Sequence, residues 1–268
     1  MITLKTEPEL AVMREAGLVV ARCLELLRTS VEPGMTTMDL DQLAESFIRG
    51  EGAAPSFKGY NGFPATLCLS INDEIVHGIP SAARVIRDGD VVSIDCGAVV
   101  GGFHGDAAVT VPVGTVGQDV LDLLRVCEES LWRGFAAARL GGRLRDISAA
   151  VEAHIRPHGY GIVEGYGGHG IGQRLHEDPH VLNYVEPRSG RGAKLVKGLV
   201  LAVEPMVNLG RPDTRELDDG WTVVTADGSV SAHFEHTFTL TEEGPWVLTA
   251  EDGGASMLAP LLADGSVR

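Results

Sequence analysis

The chain opens with two stretches in which apolar residues recur at helical spacing. The first starts at Thr6-x-x-Glu9, which has the form of a capping box with Pro8 in the first turn, and its apolar stripe continues to Leu27. Val31-Glu32-Pro33-Gly34 interrupts it. A second amphipathic helix is predicted from Thr36-x-x-Asp39 to about Arg49, with Gly50 and Gly52 ending it. From Tyr60 onward short β-rich runs take over, among them Thr66–Ile71, Val91–Val100 and Ala107–Val113.

The helical pattern then returns. Gln118–Arg139 reads as a long helix, Gly141-Gly142 as a break and Asp146–Arg156 as a shorter helix. A displacement of 107 positions aligns Gly34 with Gly141, Asp39 with Asp146, Leu40 with Ile147 and Glu45 with Glu152. It also aligns Ile48 with Ile155, Arg49 with Arg156 and Gly52 with Gly159. Amphipathic helices share a period by default, but the matching glycines do not follow from it, so the pattern points to an internal duplication. The expected architecture is a mixed α/β (α+β) catalytic domain over residues 1–250, made of halves of about 1–112 and 113–250. Chemistry is expected at the seam of such halves. Residues 251–268, rich in Gly, Ala and Ser, read as a loosely packed C-terminal tail.

Four acids sit inside otherwise apolar strands. Val91-Val92-Ser93-Ile94-Asp95-Cys96-Gly97 holds one, and a second strand begins near Gly105-Asp106-Ala107. A hairpin turning at Val100-Gly101 places Asp95 directly opposite Asp106, with Cβ atoms about 5 Å apart. Two buried carboxylates so close cannot both stay ionised without compensation, which a divalent cation supplies. The alternative, an exposed pair near a turn, sits badly with the apolar neighbours. Val200–Met206 embeds Glu204. Trp221–Thr225 and Ser231–Leu240, joined through Ala226-Asp227-Gly228-Ser229, read as a hairpin carrying His233-Phe234-Glu235-His236. Gly167-Gly168-His169-Gly170-Ile171-Gly172 adds an imidazole in a setting that permits close backbone approach, and His176 follows seven residues after His169. His77 alone reads equally as a loop residue or a site residue. Four carboxylates and one imidazole form an oxygen-rich set suited to manganese, iron, cobalt or zinc. Two such ions would balance the four charges, acidify a water between them and polarise a carbonyl, the chemistry of amide hydrolysis.

Composition narrows the alternatives. Acidic residues outnumber basic ones by 37 to 22, for a net charge of −15, which argues against tight nucleic-acid binding. Cys23, Cys68, Cys96 and Cys127 are far apart with no C-x-x-C pair, so a zinc ribbon or disulfide framework is not expected and a reducing compartment is. No apolar run approaches the roughly 20 residues of a membrane span, and Met1–Glu7 shows no secretory signal, so a cytoplasmic location is expected.

Together these segments resemble type I methionine aminopeptidases of the compact bacterial kind. The resemblance runs from about Glu7 to Thr249 through Gly62-Phe63-Pro64, His77-Gly78-Ile79-Pro80, Ser93-Ile94-Asp95-Cys96-Gly97 and Gly105-Asp106. It continues through Gly168-His169-Gly170-Ile171-Gly172, Glu204-Pro205-Met206 and Phe234-Glu235-His236-Thr237. It implies the pita-bread (creatinase/aminopeptidase) fold with internal pseudo-twofold symmetry. It implies that Asp95, Asp106, His169, Glu204 and Glu235 hold two divalent ions, Asp106 and Glu235 bridging, with Glu204 also shuttling a proton. His77 and His176 match histidines that hydrogen-bond the substrate and stabilise the developing tetrahedral species. Tyr60, Phe63, Cys68 and Trp221 match positions of the methionine pocket, with ordinary core packing as the alternative for each. Asn61, Leu175 and His233 depart from residues common in the family, where histidine, phenylalanine and glutamine occur, and put affinity in doubt rather than the reaction. Glu235 follows Glu204 by only 31 residues, which leaves no room for the large insertion of type II members.

The implied activity is removal of the first methionine from nascent polypeptides when the second residue is small, a step in protein maturation. A monomer in transient association with the ribosome is the implied setting, with neither membrane nor direct nucleic-acid binding. The chain's own bulky Ile2 implies that Met1 is retained. The competing readings are an X-Pro aminopeptidase or prolidase, which usually carries a large preceding domain, and a non-catalytic peptide-binding module of the same fold.

Overall fold

The computed structural model describes residues 1–188 and 190–264. Its first half runs α1 (Glu7–Ser30), α2 (Thr37–Gly50), β1 (Ala54–Pro55), β2 (Leu67–Ile71), β3 (Glu74–Val76), β4 (Val91–Val100) and β5 (Phe103–Pro112). The second half begins with α3 (Gln118–Ala137) and α4 (Leu144–Ile155), then β6 (Gly161–Ile162), β7 (Gly168–Gly170), β8 (Glu177–Val181) and β9 (Val200–Val203). It continues with β10 (Met206–Asn208), β11 (Thr214–Glu216), β12 (Val223–Thr225), β13 (Ser231–His233), β14 (Glu235–Thr241), β15 (Gly244–Val247) and α5 (Ala255–Asp264).

The helices begin where the capping boxes place them. The Thr6 amide donates to Glu9 Oε2 at 2.7 Å, and the Thr36 amide donates to Asp39 Oδ2 at 2.7 Å while Thr36 Oγ1 accepts from the Asp39 amide at 3.2 Å. Helix bounds and glycine conformations recur at the 107-residue offset. Helix α1 ends at Ser30 and α3 at Ala137; α2 begins at Thr37 and α4 at Leu144. Gly34 and Gly141 both have positive φ, at 100° and 88°, and Gly52 and Gly159 share a φ of 76°.

The strands form one curled nine-stranded antiparallel sheet in the order β1-β4-β5-β14-β9-β7-β8, with β15 beside β14 and β2 beside β4. The first half supplies β4 and β5, the second supplies β14 and β9, and the seam is the β5–β14 pairing of Ala108 with Glu235 and Ala107 with His236. Helix α1 covers one half of the outer face, burying Val20, Cys23 and Leu27 against Ile94, Cys96 and Ala107. Helix α3 covers the other, burying Leu131, Trp132 and Phe135 against Val203 and Phe238. Strand alternation leaves the opposite face for the acids.

Three expectations differ from the structure. The β4–β5 hairpin turns at Gly101-Gly102, both with positive φ (56° and 83°), so Asp95 pairs with Ala108 and Asp106 with Gly97 rather than with each other. Two adjacent positive-φ residues suit the twist of a two-residue hairpin loop, and glycine adopts them without strain. The Trp221–Leu240 segment is not a hairpin: β12 pairs with β11 and β3, whereas β13 pairs with β10. Its connection lets the chain change sheets, held by Thr225 Oγ1 donating to Ser229 O at 2.8 Å. Finally, Ala255–Asp264 of the expected tail form α5, and Leu258, 4% exposed, joins the core beneath α3. Residues 265–268 of that tail lie outside the described residues.

Candidate active site

Two rows of residues cross the inner face of the large sheet. Paired residues of antiparallel strands point to the same side. The first row runs Cys68 (β2), Asp95 (β4), Ala108 (β5) and Glu235 (β14). Glu204, directly after β9, extends it, because Val203 pairs with His236. The second row, two residues along, contains Gly97 and Asp106, then Thr237, Ala202 and His169. Thr237 Oγ1 fastens this row across the seam, donating to Asp106 O at 2.8 Å and accepting from the Asp106 amide at 3.2 Å. Asp95 and Asp106 are thus diagonal neighbours on one face. The corrected register differs from the expected one by two residues, and a shift of two keeps every side chain on its face.

His169 is placed by the glycines around it. A Cβ on Gly168 would run into the Ala202 carbonyl and one on Gly170 into the Asp178 carbonyl, so only glycine lets β7 lie this close to its neighbours. His169 Nδ1 donates to Gly170 O at 2.9 Å, which leaves the Nε2 lone pair facing the acids, 3.6 Å from Glu204 Oε1. Ligand atoms of Asp106, His169 and Glu235 all lie within 4.8 Å of one another.

This arrangement carries unbalanced charge. Asp95 Oδ1, Asp106 Oδ1 and Glu235 Oε1 are buried without a hydrogen-bond partner. Burial raises the Asp95 pKa to about 7. It raises Asp106, Glu204 and Glu235 well above the usual range, and the neighbouring carboxylates push further in the same direction. Two carboxylates 4 Å apart repel by roughly 4 kcal/mol at an effective dielectric near 20. Burial lowers the His169 pKa to about 3, so its imidazole is neutral and able to ligate. Orphaned anionic oxygens converging with a neutral imidazole fit hard or borderline divalent cations.

The acids form one end of a cavity of about 370 Å³. All eleven residues singled out from the sequence line it: Tyr60, Phe63, Cys68, His77, Asp95, Asp106, His169, His176, Glu204, Trp221 and Glu235. Asn61 and Leu175 line it too. The other end is apolar, with Phe63, Cys68 and Leu175 buried in one cluster and Trp221 set edge-on to Phe63 at 5.1 Å between ring centroids. His176 stands between the two ends, its Nδ1 2.7 Å from the Tyr60 hydroxyl and its ring 4.3 Å from that of His169. His77 has a φ of 61°, unusual for a residue with a Cβ, and its ring meets Tyr166 edge-on. Burial lowers the pKa of both His77 and His176.

Three neighbours escaped the sequence reading. Phe57 lines the cavity without any local signal to mark it. Tyr166 backs His77 from the loop before β7. His233 was marked only as a departure, yet its buried, unpartnered Nε2 lies 3.9 Å from Glu204 Oε2. Its spacing of two from Glu235 was the available clue.

Comparison with known proteins agrees with this geometry. Residues 11–242 match the model of Metallopeptidase family M24. The methionine aminopeptidase of Clostridium acetobutylicum is 49% identical over 249 residues, covering 93% of this chain and 99% of its own. Methionine aminopeptidase 1 of Bacillus subtilis is 51% identical over 249 residues, with the same coverage. The crystal structure of methionine aminopeptidase from Thermotoga maritima superposes with a TM-score of 0.90 at 42% identity, covering 94% of this chain and 100% of that one. Prolidase from Pyrococcus furiosus gives 0.75 at 22% identity over 92% of this chain but only 65% of its own, a likeness of fold alone. With the pita-bread fold and a buried cluster suited to divalent metal, the chain belongs to metallopeptidase family M24.

Proposed function

We propose that this chain removes the N-terminal methionine from nascent proteins whose second residue is small, by hydrolysis assisted by two divalent ions. The observation that carries the reading is one cavity lined both by apolar Phe63, Cys68 and Trp221 and by buried acids. A methionine side chain suits the first, being apolar, flexible and able to place its sulfur against aromatic rings. Its amide bond then falls beside the second.

Asp95, Asp106, His169, Glu204 and Glu235 would hold the ions. Divalent metal held there would supply a Lewis acid for the scissile carbonyl and a lower pKa for water. Glu204 takes the proton of the attacking water and returns one to the leaving amine. His77 and His176 donate hydrogen bonds to the oxygen that gains negative charge, in a site that largely excludes solvent. Cobalt, manganese, iron and zinc all accept this donor set.

The same reading makes the protein a cytoplasmic monomer in transient contact with the ribosome. No helix among the described residues is long and apolar enough to cross a membrane. Apo-protein reconstituted with each metal and offered Met-Xaa-Ser peptides tests the reading. Release of methionine should require metal and decline as Xaa grows. Cleavage of Ala-Pro peptides in preference to Met-Ala-Ser would replace it with the X-Pro reading, and metal-independent binding without turnover with that of a recognition module.

A further inference from the structure

The first six residues run along the base of the loop that carries His176. The Lys5 amide donates to Gly198 O at 2.7 Å. Its side chain is only 3% exposed, and Nζ donates to Glu177 Oε2 at 2.7 Å and to Thr3 O at 3.2 Å. The Glu177 side chain is 4% exposed, and its other oxygen accepts from the Arg174 amide at 3.2 Å. One buried carboxylate therefore joins the N-terminal segment to residues 171–176, the connection between β7 and β8. Gly170 pairs with Glu177 across a register shift, so the loop is closed at Glu177. The ion pair also fills the inside of the loop: a Cβ on Gly172 would lie 2.7 Å from both Lys5 Nζ and Glu177 Oε1. The Met1 amine pairs with Asp178, one residue further along β8. His176, which lines the cavity, directly precedes Glu177.

We propose that Lys5 is a positioning residue, acting through Glu177 to hold the His176 imidazole at the cavity. A buried ammonium and a buried carboxylate tolerate loss of their partner poorly, so each fixes the other in one place. The Lys5 bond takes one Glu177 oxygen and the Arg174 amide takes the other, which leaves the start of β8 little freedom to rotate. His176 inherits that restraint through the backbone.

The proposal rests on the methionine aminopeptidase reading, and its test separates the two. Hydrolysis of Met-Ala-Ser by the metal-reconstituted full chain is compared for the parent and Lys5→Met, at a temperature where circular dichroism shows both folded. Displacement of a substrate-contacting group predicts a fall in kcat of about ten- to a hundredfold in Lys5→Met. KM should change far less, and bound metal should equal the parent's. In a His176→Ala background Lys5→Met should lower kcat no further. Parental kcat in Lys5→Met, or the same loss in both backgrounds, overturns the proposal. If Lys5→Met does not fold, Glu177→Gln, which removes the ion pair and keeps an oxygen for the Arg174 amide, carries the same outcomes. A parent inactive on methionyl peptides overturns the functional reading instead. The His176 ring resonances in histidine-labelled protein then decide the positioning claim, since they should move in Lys5→Met and stay in place in Lys197→Met.

Discussion

Asp95 stands four residues beyond Val91, the first residue of β4, and Glu204 stands four beyond Val200, the first of β9. The two acids hold the same place relative to their strands, 109 positions apart, where the helices repeat at 107. The extra two residues enter before the final strands. The isolated bridge Thr36–Val85 corresponds to Arg143–Lys194, whose first members are 107 apart and second members 109. A rigid offset sets Asp95 against Ala202, whereas the fold brings Asp95 and Glu204 into one row across the seam. Acids at matching strand positions thus line one cavity, where their repulsion calls for a cation.

Asp106→Asn should abolish metal-dependent turnover, with residual activity lower by about a thousandfold or more if the residue holds both ions. The chelated variant should melt above the chelated parent, because one of several mutually repelling buried charges is gone, by about 2–4 °C per kcal/mol relieved. Differential scanning calorimetry with and without chelator checks both signs. An unchanged melting temperature in chelator would show that the acids do not strain the metal-free protein.

Tyr60→Phe removes the hydroxyl 2.7 Å from His176 Nδ1 and little else. A neutral hydrogen bond contributes about 0.5–1.5 kcal/mol, so kcat should fall by about two- to tenfold. Metal affinity, measured by titration calorimetry, should match the parent's. His176→Ala should cost more, about a hundred- to a thousandfold in kcat.

Phe63→Leu tests the apolar end. It removes the edge-to-face contact with Trp221, worth about 0.5–1.5 kcal/mol beyond simple burial. KM for Met-Ala-Ser should rise several-fold while kcat holds, and selectivity for methionine over leucine at the first position should narrow. Initial-rate measurements on both peptides decide it.

The pH dependence of stability should reflect Glu177. Burial pushes its pKa up, but the hydrogen bonds from Lys5 and the Arg174 amide outweigh burial and hold it below the ordinary carboxylate value. A lowered folded-state pKa stabilises the protein fully above the unfolded value of about 4.3 and loses that contribution as pH falls through the folded value. Lys5→Met removes the main compensation and leaves a buried carboxylate, so the sign reverses: this variant should gain stability relative to the parent on acidification. At neutral pH it should be less stable by about 3 kcal/mol. Urea unfolding between pH 3.5 and 7.5 measures both curves.

Local chemistry wrote much of this molecule directly into its residues. Thr6-x-x-Glu9 and Thr36-x-x-Asp39 set helix starts because their hydrogen bonds close within one turn, and all four long helices fall where apolar spacing puts them. The acids inside β4 and near β9, and the glycines around His169, pointed to residues that line one cavity, because buried charge and absent side chains are unusual enough to need a reason. Resemblance to a known family added roles that spacing alone did not assign. Tertiary structure decided the rest. Which residue of β5 faces Asp95 depended on whether Gly101-Gly102 or Val100-Gly101 made the turn, and only the twist of the paired strands chooses between them. That β12 and β13 belong to different sheets, that α5 packs on the core, and that Lys5 reaches Glu177 across 172 residues are all long-range contacts. Their energies depend on partners far away in the chain, so no window of sequence contains them.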